Sequence, residues 1–249
     1  MIGVIAVKEI RSLIHSPVAW VVAALVQLLA AYFFIIYLDY FIDVQDQLYK
    51  VTSAPGLTEL VVAPLFVTTA IIFLIIIPIL TMRLVSEERN RNTLALLLSA
   101  PVSMLDIVLG KFFGILCFIY TLLILIALMP LSLLFGIELD LGLFFSSFFG
   151  VMLVSTSFIA IGLFMSTLTQ QPVIAATASW ALLLFLWLME LSVKSEQAAS
   201  LNTYLSMLHH YTPMMQGILN SADIAYYLLV TTTFLALSVR RLDAIRLGN

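Results

Sequence analysis

Charge is what this 249-residue chain has least of. Asp, Glu, Lys and Arg make up 10% of it, against about 25% in a soluble domain, and that scarcity excludes an ordinary water-soluble fold. There is one cysteine, Cys117, so no intrachain disulfide can form. It lies inside an apolar run and reads as a packing residue facing lipid or core. Motifs for chemistry are missing as well. Gly110-Lys111 stands without the GxxxxGKS/T loop that cradles phosphates, so ATP is not expected to bind through that motif. No HExxH and no cysteine cluster marks a zinc site. His209 and His210 are adjacent and do not share a helical face, so they read as structural or interfacial. No nucleophile–base–acid set can be picked out, so the chain is not expected to be an enzyme. Ionisable residues are nearly absent from the apolar runs, which argues against the mid-membrane ion site of a self-sufficient secondary carrier. No cofactor is expected in this chain, and no nucleic-acid partner.

What the chain does have is apolar sequence. Hydrophobic residues reach 63%, and several runs approach or exceed the roughly 20 residues that span a bilayer as a helix. The pattern predicts an all-α, polytopic membrane protein. It forms a single transmembrane domain over 1–249, with six spans near 18–38, 60–81, 107–135, 143–168, 173–189 and 224–239. The last is short and would need flanking residues or bilayer thinning. The first run is longer than a signal-peptide core, and no small-x-small cleavage site follows it, so it reads as a retained span. Ahead of it, Ile2, Ala6, Ile10, Leu13 and Ile14 fall near one helical face, with Lys8, Glu9, Arg11, Ser12 and His15 largely elsewhere. That predicts an amphipathic helix at the membrane surface. Ser16-Pro17 offers a cap and a first-turn proline for the helix that follows. The fourth span carries Ser155, Thr156, Ser157, Ala160 and Gly162, small residues that let helices approach closely. The polar stretch 190–223 predicts surface helices or a re-entrant element.

Basic residues orient the chain. With six spans, one side would hold Lys8, Arg11, Arg83, Arg89, Arg91, Lys111, Arg240, Arg241 and Arg246, and the other only Lys50 and Lys194. The positive-inside rule then places both termini in the cytosol.

The most informative stretch is Arg83 to Lys111. It leaves the membrane between the second and third spans, with an acidic pair (Glu87, Glu88) beside Arg89. Next comes a short apolar helix candidate, Leu94 to Leu98, with Thr93 as its N-cap and Pro101 ending it. By itself such a loop can be a solvated connector. Its residue order, Met-Arg-x-x-x-Glu-Glu-Arg-x-x-x-Thr-Leu-x-Leu-Leu-Leu-Ser-x-Pro-Val-Ser and then Ile-Val-Leu-Gly-Lys-Phe, resembles the segment between helices 2 and 3 of ABC-2 type ABC transporter permeases. More narrowly, it looks like the gliding-motility and copper-enzyme-maturation (NosY-like) branch. The resemblance continues in Lys-Glu-Ile-Arg-Ser-Leu-Ile-x-Ser-Pro-Val-Ala-Trp near the start, in Ala160 to Gln170, and in His209 to Tyr227. Where that family shows Gly-Thr-Leu-Glu, this chain has Asn92-Thr93-Leu94-Ala95. Asparagine tolerates the left-handed backbone of the glycine, but the carboxylate is missing.

The resemblance implies a cytosolic coupling helix that docks on a separate ABC ATPase, which would hold the ATP and magnesium. Glu87, Glu88 and Arg89 would make charged contacts, Leu94, Leu97 and Leu98 apolar ones, and Asn92, Thr93 and Pro101 would shape the helix. The 167–172 loop would add a smaller contact. Six helices form half of a usual pathway, which implies a homodimer or a paired permease in the inner (cytoplasmic) membrane. The work done would be export of a substrate or force transmission to an extracytoplasmic accessory protein. The competing reading is a membrane scaffold or assembly factor without transport activity.

Overall fold

The structure is a computed structural model and describes residues 1–48, 56–90, 103–135, 139–189 and 204–247. Every regular element among them is helical. Helix α1 is Ile2–His15 and α2 is Pro17–Leu48. They part at Ser16, whose extended backbone (ψ 119°) is what a following proline imposes. A π-helical turn, Thr58–Val62, leads into α3, Ala63–Thr81. A tight turn then opens the short α4, Ser86–Asn90. Helix α5 is Met104–Leu131, running on into a 3₁₀ turn at Ser132–Phe135. Helices α6 (Leu141–Leu168), α7 (Pro172–Leu188), α8 (Met207–Met215) and α9 (Ser221–Leu247) follow.

Among the described residues five helices are long and apolar enough to cross a membrane: α2, the Thr58–Asn90 unit, α5, α6 and α9; α7 is a shorter apolar helix. The chain is a multi-pass membrane protein. Helix α9 has 27 residues and runs on past the apolar stretch 224–239, carrying Arg240, Arg241 and Arg246 on its final turns.

Helix α6 is the centre of the bundle, packed by α3, α5, α7, α8 and α9. Two thirds of its apolar window (67%) is buried, against 17% for α2 and 22% for α9, which therefore face outward. Its small residues explain the difference. A Cβ on Gly162 would collide with the Thr81 side chain, and one on Gly150 would sit 3.0 Å from the Tyr211 ring. With no hydrophobic drive between helices in lipid, such close backbone approach and interhelical hydrogen bonds hold the bundle together. The bonds include Tyr120 to Thr156 (2.7 Å), Tyr37 to Thr68 (2.7 Å), the Gln27 amide to the Leu122 carbonyl (3.0 Å) and the Trp180 indole to the Ile75 carbonyl (2.9 Å).

Helix α8 differs from a surface helix. Met207, Tyr211 and Met214 are fully buried. The Tyr211 hydroxyl donates to the Phe66 carbonyl at 3.0 Å, and Ser146 donates to the Met214 carbonyl at 2.7 Å. Burial pushes the Tyr211 phenol above its ordinary value. Helix α8 is thus wedged into the bundle.

Candidate functional site

One end of the bundle gathers the basic residues. Lys8, Arg83 and Lys111 line a common cavity there, and the charge of Arg241 acts on Arg89. Through this end runs the segment Met82–Asn90, which is tied to the bundle on three sides.

The first tie is to α6. Ser166 Oγ accepts the backbone N–H groups of Val85 and Ser86, each at 3.1 Å, and donates to the Met82 carbonyl at 3.0 Å. One hydroxyl so closes the turn after α3, where backbone groups have no helical partners. Ser86 donates its own hydroxyl to the same Met82 carbonyl. Beyond it, Arg89 Nη1 donates to the Thr167 carbonyl at 2.8 Å, an orphan acceptor at the end of α6.

The second and third ties are ionic. Lys111, on α5, is 2% exposed and donates to Glu88 Oε1 at 2.7 Å and to Glu9 Oε1 at 3.1 Å. Lys8, 61% exposed, stands 3.8 Å from Glu88 and 4.0 Å from Glu9. A buried ammonium is tolerated only when it is paired and hydrogen-bonded, and two carboxylates from two other elements meet that need. Glycines make the geometry possible. A Cβ on Gly110 would lie 2.6 Å from the Ile5 Cβ, and one on Gly114 would lie 2.6 Å from the Glu9 Cβ. Helix α1 therefore rests on a glycine-lined strip of α5, and Glu9 reaches Lys111.

This corrects the reading of α1. Its packed side is Ile2, Ile5, Ala6, Glu9, Ile10 and Leu13, and Ile14 is exposed. Glu9 belongs to the inward face although its charge suggests the outer one. Hydrophobicity alone misplaced it, because its partner Lys111 lies 102 residues away. Spacing did carry a signal: Glu9 sits four residues after Ile5 and four before Leu13.

Of the residues singled out in the sequence, Glu87, Glu88 and Arg89 are described. Glu88 and Arg89 turn into the bundle, and Glu87 lines the cavity of about 400 Å³ between α1, α3, α4 and α5. Asn92, Thr93, Leu94, Leu97, Leu98 and Pro101 lie outside the described residues. The 167–172 loop, which includes Thr169 to Gln171 between α6 and α7, is adjacent, since Arg89 bonds to Thr167. Ser166, Lys111 and Glu9 are the members that sequence reasoning did not bring together. Cys117 faces outward from α5.

Among the described residues of this arrangement no acid, base and nucleophile converge. A short helix is bonded to α6, α5 and α1 at once, and these bonds form a joint. Residues 4–244 match the model of a family described as "ABC-2 family transporter protein". No curated protein matches the chain.

Proposed function

The chain belongs to the ABC-2 transporter family, and on that premise we propose that it is the permease subunit through which a separate ABC ATPase does work across the membrane. Members of this family are membrane components of transporters that normally work with an ABC ATPase. The observation that carries the finer reading is the three-sided bonding of Met82–Asn90. A loop that only connects two spans needs no such fixation. A lever must be stiff at its root. In this reading Asn92, Thr93, Leu94, Leu97, Leu98 and Pro101 form the coupling helix in contact with the ATPase. Glu87 borders that contact, and Glu88 and Arg89 pass the displacement into α5 and α6.

The same reading places the basic end and both termini in the cytosol by the positive-inside rule, in the inner membrane, with the ATP and magnesium on the partner. The largely outward-facing α2 and α9 leave surface for a second copy or a paired permease. The work done is export of a substrate or, as in the copper-enzyme-maturation and gliding-motility branch, force transmission to an extracytoplasmic accessory protein.

The test is co-purification from detergent-solubilised native membranes, with ATPase activity assayed on the eluate. Leu97→Glu should abolish ATPase recovery at equal membrane insertion. Arg89→Ala should retain the ATPase but reduce the activity stimulated by the permease. Absence of any ATPase with intact parent protein would overturn the proposal.

A further inference from the structure

At the end of the bundle opposite the basic cluster, His210 of α8 is 8% exposed and Asp223 of α9 is 6% exposed. His210 Nδ1 lies 2.6 Å from Asp223 Oδ1, and Nε2 lies 3.2 Å from the carbonyl oxygen of Tyr204. Both contacts of the ring are therefore to oxygens. A carbonyl oxygen can only accept, and an ionised carboxylate can only accept. Neutral imidazole has one N–H and one lone pair, so it can satisfy one of the two and must point its lone pair at the other.

We infer that His210 and Asp223 form a proton-held clasp, an imidazolium paired with a carboxylate, which fastens the Tyr204–Ser206 segment to α8 and α9 and lets it go when the ring gives up one proton. The remaining proton stays on Nδ1, where the bond to the carboxylate is charge-assisted and the stronger of the two. The lone pair on Nε2 then faces the Tyr204 carbonyl, and that contact becomes repulsive. The proton leaves to solvent, and no other bond is made or broken.

Aromatic rings enclose the histidine. Tyr226 stacks on it with centroids 4.1 Å apart, and the His209 ring meets it edge-on at 5.6 Å. Tyr227 packs against Tyr226 at 5.3 Å and donates its hydroxyl to the Met207 carbonyl at 2.6 Å. The Tyr226 hydroxyl donates to the Leu205 carbonyl at 2.7 Å, a second hold on the same segment. On the elements packed beside α8, Asp140 is occupied in capping α6, and Glu59 lines a separate cavity with Thr212 and Gln216. Among the described residues no Lys or Arg bonds to either partner of the clasp, so nothing there substitutes for the imidazolium charge. Histidine is the side chain whose ordinary charge change falls between about pH 5 and pH 8. If the orientation proposed above holds, this end faces outside the cytosol.

The chain has three histidines, His15, His209 and His210, which makes a direct test practical. The full-length protein, labelled with ¹⁵N in its histidine rings and held in lipid bilayers, is titrated between about pH 5 and pH 8.5. At the acid end one ring should show both nitrogens protonated, with signals that vanish in His210→Gln. At the alkaline end it should convert to a neutral ring protonated at Nδ1. Over the same range, amide exchange of residues 204–206, corrected for its intrinsic pH dependence, should rise about threefold or more. It should stay flat in His210→Gln and in Asp223→Asn, the latter serving if the former fails to fold. A His210 ring that keeps one protonation state throughout overturns the inference. So does an exchange response that persists in the variants.

Discussion

Replacing Lys111 by methionine should unsettle the basic end of the bundle more than any exposed charge change, and the structure sets the scale. The ammonium is almost fully buried and serves two carboxylates, Glu88 at 2.7 Å and Glu9 at 3.1 Å. Removing one member of a buried ionic group costs about 3–5 kcal/mol, because the remaining charges stay desolvated and lose that member's attraction. Here the lower limit applies. Lys8 stands 3.8 and 4.0 Å from the same carboxylates and can move in, although as an exposed cation it gives a screened interaction of at most about 1 kcal/mol. A loss of about 3 kcal/mol corresponds to a fall of about 6–12 °C in apparent Tm for a chain of this size, on the soluble-protein scale. The assay is thermal unfolding in lipid nanodiscs at one heating rate, since unfolding of such proteins is often irreversible. The reasoning also fixes the rescue. In the triple variant Lys111→Met/Glu9→Gln/Glu88→Gln the two carboxylates are neutralised together with the ammonium, and most of the loss should return. A single variant that melts within about 2 °C of the parent, or a triple variant no better than the single, would refute the account.

Three further outcomes follow from the same geometry. Gly114→Ala should destabilise, because its Cβ would meet the Glu9 Cβ at 2.6 Å; Gly3→Ala, with open space around it, should gain up to about 1 kcal/mol from helix propensity, and comparison of the two melting points checks both. Ser166→Ala strands the N–H groups of Val85 and Ser86 and one share of the Met82 carbonyl, so it should cost about 1–3 kcal/mol and speed amide exchange in residues 83–90, whereas Ser132→Ala, at an exposed position, should change neither. Tyr211 is held neutral by burial, while in the unfolded chain it ionises near pH 10; its contribution is complete below about pH 10 and is lost as pH rises above that value, so Tyr211→Phe should lower Tm at neutral pH through the lost bond to Phe66 but flatten the alkaline decline.

Much of this fold is legible in the sequence because lipid leaves few options. A long apolar run must be a helix, and the runs ending at Thr81 and Leu168 do end there. Boundaries were harder where a helix leaves the membrane without stopping. Helix α2 continues to Leu48 through Asp39 and Asp43, and α9 continues to Leu247, because hydropathy marks the lipid edge and not the last helical hydrogen bond. The joint was half legible. Glu87, Glu88 and Arg89 stand out by charge, but the partners that give them meaning lie on other helices. Lys111 is 23 residues from Glu88, Thr167 is 78 from Arg89, and Glu9 is 102 from Lys111. No local period encodes such distances. The burial of α8 was hidden for a related reason. Two histidines, a tyrosine and a threonine lend it a polar look, yet the Tyr211 hydroxyl bonds to the Phe66 carbonyl of α3 and the Tyr211 ring packs into the space that Gly150 leaves open.

The position of the joint gives α6 a particular part in the proposed coupling. At its basic end, Ser166 and Thr167 hold the segment 82–89. At its other end, Ser146 bonds to the Met214 carbonyl of α8, and midway along it Ser157 bonds to the Tyr227 carbonyl and Thr231 of α9. Between these ends lies an unbroken helix of 28 residues, about 42 Å long at 1.5 Å per residue. It is locked to α3 where Gly162 leaves no space beside Thr81. A tilt of the root segment cannot be absorbed by a loose side chain at that contact. It must move α6 or shear α3 past it, since packed helices have discrete arrangements rather than a soft continuum. The hydroxyls at the far end then determine whether α8 follows, so a displacement beginning at Arg89 has a physical route to the His210–Asp223 clasp through one rigid element.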